Sequence, residues 1–267
     1  MTNAALTPSI HPTDLRDLIR SGEYNGTTGG LARGFVQCNL VVLPEEYASF
    51  FLAYCQANPK PCPLLAVGKP GDPRLPILGE SIDIRSDISA YKIFRDGVHT
   101  SDEHNISDLW QSGMVAFALG CSFSFEEALE DAGLDVRHNT LGLVNPMYTT
   151  NIETTASGPF CGRTVVTMRP FKPADAIRAI QITSRFPQVH GAPIHFGDPA
   201  EIGIEDLDKP EFGGDAVPIH EGEVPVFWAC GVTPQVAIAN AKPSLCITHK
   251  PAHMLVTDVK NASLSIF

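Results

Sequence analysis

The sequence predicts a mixed α/β fold in which a largely parallel sheet is flanked by helices and a smaller α+β domain is inserted. Apolar runs bounded by turn residues alternate with segments of helical pattern along much of the chain. Such an alternation is typical of a sheet that helices cover. The runs that we predict as buried strands are residues 36–43, 115–119, 165–168 and 224–229.

Residues typical of helix starts and helix ends predict the positions of the helices. Thr13 is predicted to cap a helix that ends at Gly22, and Pro44 to begin one that runs to about residue 57. Other helices are predicted over residues 124–132, 173–184 and 233–241, shorter strands near 64–67, 91–95, 245–248 and 254–257, and a weak helical pattern over 99–112.

The middle of the chain shows fewer clear helices than its ends. We therefore predict a discontinuous main domain, residues 1–84 with 221–267, and an inserted α+β region over 85–220. Residues 187–222 are rich in Pro, Gly, Asp and Glu, which favours long functional loops over a linker.

Composition narrows the class of protein. The 267 residues carry a net charge of −11 with no Lys/Arg-rich run, which argues against a nucleic-acid partner. No apolar run approaches the roughly 20 residues that a membrane span needs, and no signal peptide is recognised. Seven scattered cysteines without a CxxC pair fit reduced thiols. We expect a cytoplasmic protein with no membrane partner, and a homo-oligomer is allowed.

Two segments share a pattern of strand, cysteine and helix. Cys121 and Cys230 each end an apolar run, and Ser124 and Thr233 follow three positions later as predicted N-caps that bind substrate. Helix N-termini attract anions and lower the pKa of a nearby thiol, so both cysteines are catalytic candidates. The alternative is that they are small buried core residues.

Histidines and a carboxylate cluster in the segment of residues 190–198. His190 and His195 are candidates for general acid–base catalysis because imidazole titrates near neutral pH, and Asp198 is a candidate for substrate binding. The alternative is a structural loop held by imidazole–backbone hydrogen bonds. The spacing fits no established metal site, so we expect no metal and no cofactor.

Four further polar residues complete the candidate site. Glu126 is a catalytic candidate, and Arg169, Asn39 and His253 are candidates for substrate binding, with Arg169 suited to clamp a carboxylate bidentately. Replacement of Arg169 by alanine is expected to change stability by only about 1–2 kcal/mol. The residues expected to line one shared cleft are Cys121, Glu126, His190, His195, Arg169 and Cys230.

Ordered motifs across nearly the whole chain resemble the YcsI-like hydro-lyase family. They are residues 36–40 (VQCNL), 58–65 (NPKPCPLL), 120–126 (GCSFSFE), 168–170 (MRP), 190–195 (HGAPIH), 197–199 (GDP), 226–234 (VFWACGVTP) and 253–258 (HMLVTD). The chain departs from the family pattern at Ala252, where Gly is usual, and at Ser89, where Pro is usual.

The resemblance implies a carbon–oxygen lyase. The same domain type resembles the N-terminal part of mitochondrial D-glutamate cyclase, which forms 5-oxo-D-proline with loss of water. Our first functional hypothesis is a lyase that acts on a small carboxylate such as an amino or hydroxy acid. The alternatives are a cofactor-independent racemase or epimerase that uses Cys121 and Cys230 as opposed acid and base, and a carboxylate-binding module without catalysis.

Overall fold

The computed structural model describes residues 6–212 and 214–266 and shows a mixed α/β protein. The helices are α1 (Pro12–Arg20), α2 (Glu45–Ala57), α3 (Phe123–Asp131), α4 (Arg137–Thr140), α5 (Pro173–Ser184) and α6 (Thr233–Ala241). The strands are β1 (Phe35–Pro44), β2 (Leu64–Val67), β3 (Tyr91–Arg95), β4 (Val98–Glu103), β5 (Met114–Gly120), β6 (Met147–Glu153), β7 (Arg163–Phe171), β8 (His195–Phe196), β9 (Val224–Ala229), β10 (Cys246–His249) and β11 (Leu255–Lys260). All four runs predicted as buried strands are confirmed, as β1, β5, β7 and β9.

The strands form two sheets whose defined pairings are antiparallel. A seven-stranded sheet has the order β2-β5-β1-β10-β3-β4, with β11 also paired to β1, and a four-stranded sheet has the order β6-β7-β9-β8. Every pairing with a described register, such as β7 with β9 and β1 with β10, is antiparallel. The prediction of a largely parallel sheet was therefore wrong.

The chain divides into two compact units that are both discontinuous in sequence. The first unit comprises Met1–Ser49, Leu64–Leu119 and Lys242–Ser263, and the second comprises Phe50–Pro63, Gly120–Ala241 and Leu264–Phe267. The division into residues 1–84 with 221–267 and an inserted 85–220 region stays a prediction about domains. No described helix has the length and apolar character needed to cross a membrane.

Several element boundaries differ from the sequence prediction. α1 is capped by the side chain of His11, which accepts from the Thr13 N–H, so Thr13 lies inside the helix rather than at its cap. The segment expected to be weakly helical near residue 99 begins with β4, an edge strand whose residues are largely exposed. Its polar sequence gives no apolar alternation, because an exposed edge strand buries little of either face.

The four-stranded sheet of the second unit has two chemically distinct faces. Side chains alternate along β7 and β9. One face, which we call the loop face, carries Met168 and Phe227 in an apolar cluster with Ile202 and Ile204. The opposite face, the helix face, carries Trp228, whose indole N–H donates to Thr183 of α5. Arg169, one residue on from Met168, lies on the helix face.

Ala252 adopts a backbone conformation that suits glycine. Its φ is +66°, a left-handed value that costs an L-residue about 1–2 kcal/mol. We expect Ala252→Gly to raise the free energy of unfolding by about 1 kcal/mol, measured by urea denaturation. The matched control is Ala53→Gly in the exposed interior of α2, which should lower it by about 1 kcal/mol. An equal decrease in the free energy of unfolding of Ala252→Gly and Ala53→Gly would contradict the expectation.

Candidate active site

A buried ion pair on the helix face forms the centre of the candidate site. Arg169 is fully buried on β7, and Glu126, in the first turn of α3, is 3% exposed. The Arg169 guanidinium donates to the Glu126 carboxylate, to the Ser122 hydroxyl at 3.2 Å and to the Thr167 hydroxyl at 2.9 Å. Its Cζ atom also lies 5.2 Å from the centre of the Phe125 ring. Arg169 is thus held firmly by the protein itself.

Glu126 is held ionised by two basic neighbours. Burial acts to raise its pKa, but the positive charge of Arg169 and the contact with His138 outweigh burial and lower the pKa well below the usual range. The Nε2 atom of His138 lies 3.5 Å from Glu126 Oε2, while Ser122 donates to Oε1 at 3.1 Å. A carboxylate that stays ionised orients its partners better than it donates protons.

Cys121 and Cys230 have similar local geometry. The thiol of Cys230 accepts from the Val232 N–H at 3.5 Å, and that of Cys121 interacts with the Phe123 N–H, two residues on in each case. The charges of Arg169 and Glu126 act on both thiols, and Cys230 acts on Cys121, so the structure brings these four residues together.

The thiols are nevertheless protonated groups at neutral pH. Both residues are half-buried, and desolvation of their thiols raises the pKa of Cys121 to about 12 and that of Cys230 to about 11, because it outweighs the helical N–H donors. The expectation of a lowered thiol pKa was wrong for this reason.

The two hydroxyls predicted as N-caps have other positions. Ser122, not Ser124, occupies the N-cap of α3, and the buried Ser124 hydroxyl has no hydrogen-bond partner among the described residues. Thr233 begins α6, and its hydroxyl binds the Val165 backbone, accepting from the N–H at 2.9 Å. Thr233 is therefore engaged in joining α6 to β7, and binding of substrate by either hydroxyl stays a prediction.

His190 is a buried, neutral imidazole with a defined tautomer. Its Nδ1 lies 2.7 Å from the Lys60 carbonyl oxygen. A carbonyl only accepts, so Nδ1 carries the proton and Nε2 is left with a lone pair. Burial, with Arg169 and Lys60 adding to it, lowers the pKa of His190 to about 4.

A close backbone approach places the His190 loop beside the segment of Cys121. A Cβ atom at Gly120 would lie 2.2 Å from the Gln188 carbonyl oxygen, so only glycine fits there. Since Gly120 precedes Cys121 and Gln188 lies two residues before His190, the contact brings the two segments together. The charges of Arg169 and Glu126 also act on His190. His190 thus joins the cluster on the helix face.

His195 and Asp198 lie elsewhere in the second unit. His195 pairs with Phe227 across β8 and β9, and its ring lies 5.7 Å from the Phe227 ring, which is on the loop face. The sheet therefore separates His195 from Arg169. The Asp198 carboxylate accepts from the Ala200 N–H at 2.9 Å and caps a short 3₁₀ helix. A catalytic role for His195 and a binding role for Asp198 stay predictions.

Asn39 and His253 belong to the first unit. Asn39 is 7% exposed on β1. The His253 Nδ1 lies 2.8 Å from the Ser89 hydroxyl, which donates to the Gly26 carbonyl at 2.7 Å. The serine that departs from the family pattern thus orients the imidazole of His253. Their predicted role in substrate binding is untested by this geometry.

The structure adds residues that the sequence reasoning missed. Ser122, His138, Thr167 and Lys60 all contact the candidate site residues. Of these residues, Ser122 could have been recognised from the sequence, because it is a serine next to Cys121 at a predicted helix start. Among the described residues, no group of three or more His, Cys, Asp or Glu side chains is arranged to hold a metal ion.

Buried neutral histidines predict the pH dependence of stability. The pKa values of His190 and His249 are about 4 in the folded chain against a usual 6.5. Between these values the unfolded chain binds more protons, so the free energy of unfolding should fall as pH falls from about 6.5 to 4, by roughly 3 kcal/mol per histidine at most. Urea denaturation at several pH values between about 6.5 and 4 measures this decrease. In His190→Asn the free energy of unfolding should decrease less over the same pH range. An unchanged slope would exclude His190 as a contributor.

Sequence comparisons assign the family. A family model described as D-glutamate cyclase matches residues 115–258. A protein from Bordetella petrii named "Putative hydro-lyase" is 58% identical over 92% of this chain and 93% of its own. A relative of the same name from Verminephrobacter eiseniae is 57% identical over 94% of this chain and 91% of its own. The fold also has a weak likeness to a solved nitrogen repressor-like protein from Methanococcus jannaschii, with a TM-score of 0.37 and 9% identity over 88% of this chain and 91% of that chain. The chain therefore belongs to the D-glutamate cyclase family, together with curated relatives that are named as hydro-lyases.

Proposed function

We propose that this protein is a lyase that removes water from a small amino or hydroxy acid, and that cyclisation of the D-glutamate cyclase kind is the first reaction to test. Its family and the names of its relatives support a lyase. The observation that carries the proposal is the neutral His190, whose Nδ1–H is held by the Lys60 carbonyl so that Nε2 can accept a proton.

The chemistry of such a cyclisation needs a base and an acid. The amine nitrogen forms a bond to the side-chain carboxyl carbon, the carbon–oxygen bond breaks, and the oxygen leaves as water. Two protons leave the ammonium group, and both depart with that oxygen. His190 Nε2 is suited to take the two protons from nitrogen in turn, and the protonated thiols of Cys121 and Cys230 are suited to deliver one each to oxygen. Proton transfer from the imidazolium to each thiolate then returns all three side chains to their starting forms.

Glu126 and Arg169 are suited to a different role from the one the sequence predicted. Glu126 stays ionised, which makes it a poor proton donor. Both terminal nitrogens of Arg169 already donate to protein partners, and only its buried Nε has none among the described residues, so Arg169 is poorly placed to clamp a substrate. In the proposed mechanism the pair fixes the start of α3 and the electrostatic field around the thiols.

The two alternative functions differ in measurable ways. A two-cysteine racemase needs one thiolate at neutral pH, which the raised pKa values of Cys121 and Cys230 disfavour. A binding module needs no proton transfer at all. Incubation with D-glutamate, L-glutamate, 5-oxo-D-proline and a panel of hydroxy acids in ²H₂O and H₂¹⁸O separates the three.

The proposal expects water loss or ¹⁸O exchange at a carboxyl group, and loss of both in His190→Asn. Deuterium at the α-carbon without any water exchange would instead identify a racemase. Tight binding of a carboxylate without turnover across the panel would identify a binding module.

A further inference from the structure

A substrate carboxylate at this site needs a cation other than Arg169. The Arg169 side chain is fully buried, and its guanidinium already donates to Glu126, Ser122 and Thr167. Freeing it would leave Glu126 buried without its strongest partner, which is strongly unfavourable.

Lys60 contacts the His190 loop through both its backbone and its side chain. Its carbonyl oxygen accepts from His190 Nδ1, and its ammonium group donates to the Ala192 carbonyl at 2.6 Å. These two hydrogen bonds tie Lys60 to the His190 loop, and its charge acts on the imidazole.

The segment that carries Lys60 is anchored in the second unit. Asn58 donates to the Tyr54 and Thr155 carbonyl oxygens and accepts from the Thr155 N–H, each at 2.8 Å. Pro59 and Pro61 flank Lys60 and restrict its backbone further. The ammonium group is thus presented from a fixed backbone.

Lys60 lacks a counter-ion among the described residues. No described carboxylate pairs with it, although the chain carries a net charge of −11, and the side chain lies exposed at the surface. One of its three N–H groups is used by Ala192, so two remain for an anion. An ammonium group without a counter-ion gains charge-assisted hydrogen bonds when a carboxylate binds.

We propose that Lys60 binds the carboxylate of the substrate and holds it beside Nε2 of His190. This inference rests on the proposed function for the reaction, but it concerns binding and can be tested without turnover.

The test is titration of the full-length protein with glutarate, followed by NMR of the His190 imidazole, which reports binding directly at the site. Lys60→Gln keeps an N–H donor for the Ala192 carbonyl but removes the charge, and we expect it to weaken glutarate binding by about tenfold or more. Lys60→Arg keeps the charge and should restore binding. Lys172→Met, an exposed lysine of the same unit, is the matched control and should bind as the wild type does.

Each outcome decides the question. Equal glutarate binding by the wild type and Lys60→Gln, or no shift of the His190 signals at any glutarate concentration, overturns the role of Lys60. If binding depends on Lys60 while no substrate is turned over, the proposed lyase activity fails and the carboxylate site stands.

Discussion

Replacement of Arg169 by methionine should lower the free energy of unfolding by about 3–5 kcal/mol. Methionine fills much of the volume between Phe125 and Trp228, so packing is largely kept, but the Glu126 carboxylate is left buried without its strongest partner. Urea denaturation near pH 7 measures the loss. This exceeds the roughly 1–2 kcal/mol expected from the sequence, because the sequence did not show that Arg169 is buried and paired.

The matched control is the double variant Arg169→Met with Glu126→Gln. Because replacing both members of a buried ion pair is often neutral or stabilising, the second substitution should restore most of the lost free energy. A single variant as stable as the wild type, or a double variant that is less stable than the single one, would show that the pair contributes nothing beyond packing.

Replacement of His190 by asparagine should lower kcat by about 10²- to 10⁴-fold, the usual contribution of a general base. The backbone of His190 has φ +83°, which asparagine tolerates better than most residues, and the asparagine amide keeps a donor for the Lys60 carbonyl. What is lost is the lone pair of Nε2. Steady-state kinetics on the substrate found by the panel measures the effect, while circular dichroism checks that the variant is folded.

His195→Asn is the matched control for this experiment. It is the same substitution in the same loop, but His195 lies on the loop face with its ring against Phe227. Its kcat should therefore stay close to that of the wild type. Similar large losses in both variants would contradict the assignment of the base to the helix face, and full activity in His190→Asn would remove His190 from the chemistry.

The buried elements of the fold could be predicted from the sequence, but their directions could not. Residues 115–119 and 224–229 were predicted as strands because a short, almost entirely apolar run is typical of a strand that lies in the core. Both segments form strands. Whether two strands run parallel or antiparallel depends on which distant segments pair. A local apolar run looks the same in a parallel and in an antiparallel sheet. β6 and β8 were missed because their exposed or very short segments lack a clear pattern.

The same distinction between local and distant information applies to the site. Cys121, Cys230 and Arg169 were predicted because each ends or follows an apolar run, Glu126 because it lies in a predicted first helical turn, and His190 because its loop holds two imidazoles and a carboxylate. Lys60 was missed because its contact with His190 joins residues 130 positions apart. His138 was missed because it lies on the four-residue helix α4, which has no periodicity to detect. His195 was grouped with His190 by proximity in sequence, although a sheet separates it from the cluster.

The high pKa values of Cys121 and Cys230 determine how these thiols respond to chemical reagents. Alkylating probes and peroxides attack the thiolate, and at pH 7.5 less than about one thiol in a thousand is in that form when the pKa is 11 or 12. The exposed Cys161 is more accessible and should be labelled first. Screens that find active sites by cysteine reactivity would therefore pass over this candidate site, and oxidative stress should leave both thiols unmodified.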